Sequence, residues 1–224
     1  SLPGDVTLTR VVDDKLASDM QEFVSALCLN HIRNLKVYSA LQDQSNWKPT
    51  PYRRAKEVCV GILGLGTLGQ AVATMLTNVG FKKEIENIIS YSQNELDAFL
   101  SEAEILVCLL PLTEKTQGIL NTELFSKLPK GAYLINVARG GHLVENDLTE
   151  ALKTGQLSGA ALDVFNTEPL PEDHSFWNNK DIIITPHIAS MSNAASVSSQ
   201  IAKNYKRLQK GEELMNTVSH DRGY

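Results

Sequence analysis

Of the five histidines, only His187 stands directly at the end of a continuous apolar run, in Ile182-Ile183-Ile184-Thr185-Pro186-His187-Ile188-Ala189-Ser190. A carboxylate, Glu168, follows the preceding apolar run in Leu162-Asp163-Val164-Phe165-Asn166-Thr167-Glu168-Pro169-Leu170. A carboxylate beside an imidazole holds its tautomer and favours the protonated ring that a general acid needs. A third polar end is Leu134-Ile135-Asn136-Val137-Ala138-Arg139-Gly140-Gly141, where Arg139 is followed by two glycines. A guanidinium in that place can clamp a substrate carboxylate through two parallel hydrogen bonds, although a surface arginine is the plainer reading. His142 is the reserve candidate for the proton donor, whereas His31, His174 and His220 read as structural.

The fourth element is a turn, Gly64-Leu65-Gly66-Thr67-Leu68-Gly69, set between the apolar run Val58 to Leu63 and a helical pattern. In that context Gly64 permits the sharp turn, Gly66 lets the backbone approach a pyrophosphate, and Gly69 lets helix and strand pack closely. The N–H groups that open the helix at Thr67 and Leu68 then face the diphosphate of a dinucleotide. A Gly-rich turn by itself is a weak sign, and the strand before it and the helix after it are what make it specific.

To position these groups the chain offers apolar runs that alternate with helix-length segments. Strands are expected at 58–63, 88–91, 105–110, 132–137, 159–164 and 182–185, and helices at 68–79, 95–101, 122–127, 145–154 and about 193–210. A long amphipathic helix from Ser18 to about Val37 precedes them, opened by a capping box at Ser18 to Gln21. Near-continuous Val/Ile/Leu strands separated by helices predict an α/β, Rossmann-type doubly wound parallel sheet with helices on both faces. Ligands of such sheets bind beyond the carboxyl ends of the strands, where Arg139, Glu168 and His187 fall. A second strand ending about 20 residues after the glycine turn should carry Asp or Glu for the ribose, or Arg for a 2′-phosphate. No such residue is found there, and Phe81 runs straight into Lys82-Lys83-Glu84, so a buried second strand reads as missing.

Composition narrows the partners. With 224 residues, 42% hydrophobic content and a net charge of −5, the chain supplies a sizeable core and no general attraction to nucleic acid or to anionic membrane. Cys28, Cys59 and Cys108 lack metal-type spacing, so no metal is expected, and a reducing, cytoplasmic setting is.

The series GLGTLG, Leu109-Leu110-Pro111-Leu112-Thr113 followed by Thr116, NVARGG, LDVFNTEPLP and ITPHIAS resembles the D-isomer-specific 2-hydroxyacid dehydrogenases, in the glyoxylate/hydroxypyruvate reductase branch. The resemblance implies that Arg139 binds the carboxylate and carbonyl of a small 2-oxo acid, that His187 donates the proton and that Glu168 is its partner. It also implies that Asp163 lies near the nicotinamide carboxamide, with Leu110, Pro111, Val137 and Ala138 lining the cofactor cleft. The cofactor is NAD or NADP, and the resemblance favours NADP. It implies a homodimer built around the 18–37 helix, whose Leu16, Leu29 and Ile32 exceed one buried face. By the same likeness, residues 1–17 are the remnant of a connection from a substrate-binding lobe, 18–211 the dinucleotide-binding domain, and 212–224 a tail returning toward that lobe. The domain alone is then expected to turn over little. The competing reading is an NAD(P)-binding regulatory module without turnover, against which the Arg139, Glu168 and His187 set argues.

Overall fold

The computed structural model describes residues 6–83, 93–192 and 194–218. Two helices, α1 (Asp14–Ile32) and α2 (Leu35–Asp43), precede β1 (Cys59–Leu63), α3 (Thr67–Val79) and β2 (Lys82–Lys83). Then come α4 (Gln93–Glu102), β3 (Ile105–Cys108), α5 (Thr122–Lys127), β4 (Ala132–Asn136), α6 (Glu145–Lys153), β5 (Leu157–Leu162), β6 (Ile182–Ile184) and α7 (Ala194–Gln209). The strands form one sheet in the order β2-β1-β3-β4-β5-β6, and every pairing is parallel.

Successive residues of each central strand feed two different cores, as a strand's side-chain period of two requires. Leu63, Leu106 and Leu134 point to the face covered by α4, α5 and α6, where Leu100, Phe125 and Leu148 pack. Ile62, Val107 and Ile135 point to the other face, where Val24 and Cys28 of α1 meet Val72 and Leu76 of α3. Burial on both faces explains why these strands read as continuous apolar runs rather than alternating ones. The doubly wound sheet expected from the sequence is the fold observed.

Three local expectations are corrected. First, α1 starts earlier than the Ser18 capping box proposed. Its N-cap is Asp13, whose carboxylate accepts from the Lys15 amide at 3.0 Å, and Ser18 lies within the helix, its hydroxyl on Glu22. Second, the helix does not run to Val37. Asn34 takes the left-handed conformation at φ 55° and donates its amide to the Pro51 carbonyl at 2.6 Å, which ends α1 and starts α2 in a new direction. Third, a second strand does follow the buried Phe81: Lys82 pairs with Cys59 and Lys83 with Val60. Two lysines make no apolar run, so periodicity could not disclose them, and charge suits an edge that must not pair with another chain. The strand expected at 88–91 lies outside the described residues.

Strand order reverses at β1. From β1 the chain goes to β2 on one side, then crosses to β3 on the other and continues outward to β6. The crevice between the carboxyl ends of β1 and β3 is therefore the topological switch point, the place where such sheets take their ligands. The loops after β1, β3, β4, β5 and β6 all open at this edge. Among the described residues no helix is long and apolar enough to cross a membrane.

Candidate active site

The turn after β1 is shaped by contacts that leave little room for side chains. Gly64 adopts φ 101°, and a Cβ there would stand 2.8 Å from the Leu109 carbonyl oxygen of the neighbouring loop. A Cβ on Gly69 would meet the Gly64 carbonyl oxygen at 2.0 Å, so this glycine is what lets α3 leave β1 so tightly. Gly66 differs, since a Cβ there would find nothing within 4 Å. No protein atom demands glycine at 66; the open side is the cleft. Gly66 is also the N-cap of α3, without a side-chain cap. The amides of Thr67, Leu68 and Gly69 thus lack intrahelical acceptors at the positive end of a thirteen-residue helix, with the chemistry of an anion seat.

That seat opens on a cleft of about 700 Å³ lined by Leu110 and Pro111 after β3, Val137 to Arg139 after β4, Asp163 after β5 and His187 after β6. Of the residues singled out from the sequence for the cofactor turn, the cleft wall and the chemistry, all but Glu168 and the reserve His142 line this one space. Glu168 reaches it through His187, accepting at 2.7 Å from Nδ1 on Oε2. Its other oxygen accepts from the Phe165 amide at 2.9 Å, which fixes the carboxylate's orientation. Partial burial would raise the Glu168 carboxyl. The hydrogen bonds from His187 and the Phe165 amide, with the charges of His187 and Arg139, outweigh that and hold it below the ordinary carboxylate range. His187 is about half exposed, and its Nε2 has no protein partner among the described residues.

The imidazole is aimed by its backbone. His187 sits at φ 54°, uncommon for a side chain larger than glycine. Its amide donates to the Asp163 carbonyl at 2.8 Å. The Asp163 carboxylate is 1% exposed and collects the Thr185 hydroxyl at 2.6 Å and the amides of Ile188 and Ala189 at 2.9 Å each. Asp163, expected beside a nicotinamide, therefore lines the cleft and also acts as the peg on which the His187 loop is wound. Three donors stabilise its buried charge.

Arg139 is exposed toward the cleft, and one of its donors rests on the Ala138 carbonyl at 2.6 Å. Its turn is braced by Gly140, where a Cβ would stand 2.0 Å from the carbonyl carbon of Phe165. The Arg139 turn and the stretch leading to Glu168 are thus in backbone contact, which brings the cation and the His–Glu pair to one rim.

The remaining histidines sort by surroundings. His31 stacks on Tyr133 at 4.1 Å, and burial, helped by the Arg53 charge, pulls its pKa down to about 4. His174 bonds to Glu145 at 3.2 Å away from the cleft. His142, the reserve proton donor, is completely buried and does not line the cleft, so it is set aside in that role. His220 lies outside the described residues. The three cysteines are buried and none is in a disulfide, and burial pushes the Cys28 and Cys108 thiols up to about 12. No group of three metal-binding side chains occurs among the described residues.

The NAD binding domain of the D-isomer specific 2-hydroxyacid dehydrogenases matches residues 25–189. The glyoxylate/hydroxypyruvate reductase A of Serratia proteamaculans is 42% identical over 233 residues, covering all of this chain and 74% of that protein. This chain belongs to the D-isomer specific 2-hydroxyacid dehydrogenases. Among solved structures, the NADPH-dependent glyoxylate/hydroxypyruvate reductase of Sinorhizobium meliloti, in complex with NADP and sulfate, superposes with a TM-score of 0.91 at 38% identity. That match covers all of this chain and 74% of the other. A D-isomer specific 2-hydroxyacid dehydrogenase of Xanthobacter autotrophicus Py2, in complex with NADPH and MES, gives 0.90 at 37% identity, covering 98% of this chain and 95% of that one.

Among the residues not singled out from the sequence are one that lines this dehydrogenase's cleft and one that braces the Arg139 turn from inside the core. Arg10 lines the cleft although it lies ahead of α1, in a segment that pairs with the tail through Thr9 and Thr217. Nothing local to Arg10 marked it, because its place is set by contacts with residues 216–218. Asn136, fully buried, accepts from the Ala138 amide at 3.2 Å and donates to the Arg139 carbonyl at 3.1 Å. Here a signal did exist: an amide side chain at the end of an apolar strand needs partners, and the turn beside it supplies them.

The Glu168 carboxyl gives a pH expectation. A carboxyl held below its ordinary value in the folded state contributes stability that is present above the ordinary range and lost as pH falls through the folded value. Glu168→Gln should therefore melt below the parent at pH 7, and the gap should close on acidification. A gap independent of pH in a series of thermal melts would mean that the ionised carboxylate is not what is being lost.

Proposed function

We propose that this chain carries the dinucleotide site and the acid-base pair of an NADP-dependent reductase of small 2-oxo acids, of the glyoxylate or hydroxypyruvate type. The observation that carries this reading is the 2.7 Å contact of Glu168 with His187 Nδ1 at the rim of the cleft that the glycine turn opens. A regulatory binding module has use for the turn but none for a proton donor at the far end. The relatives from S. meliloti and X. autotrophicus, solved with NADP or NADPH, support NADP as the cofactor.

The amides opening α3 would take the diphosphate, and the open side of Gly66 would let it approach. Leu110, Pro111, Val137 and Ala138 would form the apolar wall on which the rest of the dinucleotide lies. Bound reduced nicotinamide supplies a hydride. Arg139 would clamp the 2-oxo acid's carboxylate and carbonyl, holding the carbonyl carbon for attack and offsetting the charge that grows on its oxygen. With Nδ1 engaged by Glu168, His187 presents Nε2 to that oxygen and delivers the proton that makes it a hydroxyl. The Glu168 carboxylate stabilises the charged ring before the transfer and fixes its direction throughout.

Arg139→Lys tests the clamp. A point charge cannot reproduce a planar fork, so KM for the oxo acid should rise by roughly tenfold or more with NADPH affinity retained. An unchanged KM would show that Arg139 does not touch the substrate.

The same reading takes the enzyme as a homodimer, with one revision. Ile32 is buried and Leu29 packs on this chain's own core, so neither is left over for a partner. The apolar surplus is on α2 and after it: Leu35 and Val37 are about half exposed and Trp47 is 98% exposed. Light scattering at high micromolar concentration should give a dimer, and Trp47→Ser should shift it toward monomer. A monomeric parent would remove this part of the proposal.

A further inference from the structure

Between the Arg139 turn and the loop after β3 stands a histidine that the mechanism above does not use. His142 is 0% exposed and projects back from the single helical turn that follows Arg139. Its Nδ1 lies 3.0 Å from the Arg139 carbonyl oxygen, and its Nε2 lies 3.3 Å from the Pro111 carbonyl oxygen. The two ring nitrogens thus meet the two strand-end loops that enclose the cleft, one carrying the cation and the other the apolar wall. The Arg139 oxygen also takes Asn136 Nδ2 at 3.1 Å and the His142 amide at 3.3 Å. The Pro111 oxygen also takes the Thr116 hydroxyl at 2.6 Å.

We propose that His142 is a positioning residue for substrate binding: its Nδ1–H, donated to the Arg139 carbonyl, sets the angle at which the Arg139 guanidinium enters the cleft. The proton is assigned to Nδ1 because that contact is the shorter. A neutral imidazole has one donor, and the ring's other edge then spaces the Arg139 turn from Pro111. The ring is buried and its Nδ1 has no acceptor among the described residues other than this carbonyl, so losing the donor leaves the turn short of a hydrogen bond in a place water does not enter. Among the described residues the Arg139 guanidinium hydrogen-bonds only to the adjacent Ala138 carbonyl, so its direction follows its backbone. A small rotation of that backbone is enough to spoil two parallel hydrogen bonds to a carboxylate.

This inference rests on Arg139 being the substrate clamp, and the test separates the two. An Asn amide nitrogen falls near the place of Nδ1, and a Gln amide nitrogen near that of Nε2. His142→Asn should therefore keep the donation to Arg139, and His142→Gln should lose it. The measurements are KM for glyoxylate, kcat, the Kd of oxalate as an unreactive mimic in the presence of NADPH, and the Kd of NADPH alone. In the Gln variant KM and the oxalate Kd should rise about tenfold, the scale of one missing buried hydrogen bond, with the NADPH Kd within about twofold. In the Asn variant all four should stay near the parent's. Equal behaviour of the two variants, whether both unchanged or both impaired, overturns the inference, because a histidine that merely fills space does not distinguish which nitrogen is replaced. Should the Gln variant melt too early to assay, His142→Leu, which fills the space without a donor, takes its place: a raised oxalate Kd beside a parent-like Asn variant supports the inference, and equal values overturn it. Arg139→Lys run alongside identifies the other failure. If it leaves the oxalate Kd unchanged the clamp itself is wrong; if it raises the Kd while His142→Gln does not, only the role of His142 is.

Discussion

His187→Asn lowers kcat by roughly 10²–10⁴-fold, the usual worth of a positioned general acid, while the Kd of NADPH stays within about twofold. The direction follows from the geometry. Asn can keep the contact of Nδ1 with Glu168, at 2.7 Å in the parent, and so keep the loop folded around Asp163. What it cannot supply is a second nitrogen carrying a transferable proton on the far side of the ring. Loss at kcat with cofactor binding preserved is therefore the signature of the missing proton, whereas loss of both would point to a collapsed loop. Near-normal turnover of this variant would remove His187 from the chemistry. His142 could not replace it, since that ring is buried and outside the cleft; the proton would then have to come from water.

The parts of this site that were legible in the sequence are those whose signal is local. GLGTLG lies between one strand and one helix, and Gly64 and Gly69 are explained by atoms within the same turn or the adjoining loop. His187 and Glu168 could be paired on paper because each follows a strand, and parallel neighbours β5 and β6 bring their ends to one edge. The double role of Asp163 was less accessible. Its carboxylate meets residues 22 to 26 positions ahead, and only the wound loop shows that these contacts set the direction of His187. Arg10 was out of reach, since a tail more than 200 residues later places it. Periodicity failed where packing was not what decided the element. β2 is two lysines paired through the backbone with β1, and the break of α1 is made by the side chain of Asn34 bonding to Pro51, not by a change in apolar pattern.

The glycine turn offers the sharpest separation of fold from function. Gly66→Ala should melt within about 2 °C of the parent, since a single exposed substitution away from strain or burial changes stability by only a few tenths of a kcal/mol. Gly66 has φ −69° and ψ −167°, extended backbone that alanine adopts freely, and its Cβ would meet no protein atom within 4 Å. Yet that methyl group would stand on the cleft side of the N-cap of α3, where the proposed function brings a diphosphate within hydrogen-bonding distance of the Thr67 and Leu68 amides. The Kd of NADPH should therefore rise by more than about tenfold, or 1.4 kcal/mol, in a protein that is otherwise intact. Gly69→Ala is the contrasting case. There the added carbon would fall 2.0 Å from the Gly64 carbonyl oxygen, α3 would have to move off β1, and stability and affinity should fall together. Fluorescence titration with NADPH and a thermal melt of each variant separate the two. If Gly66→Ala binds the dinucleotide as the parent does, the open side of Gly66 is not where the diphosphate lies, and the glycine there is only one turn-former among three.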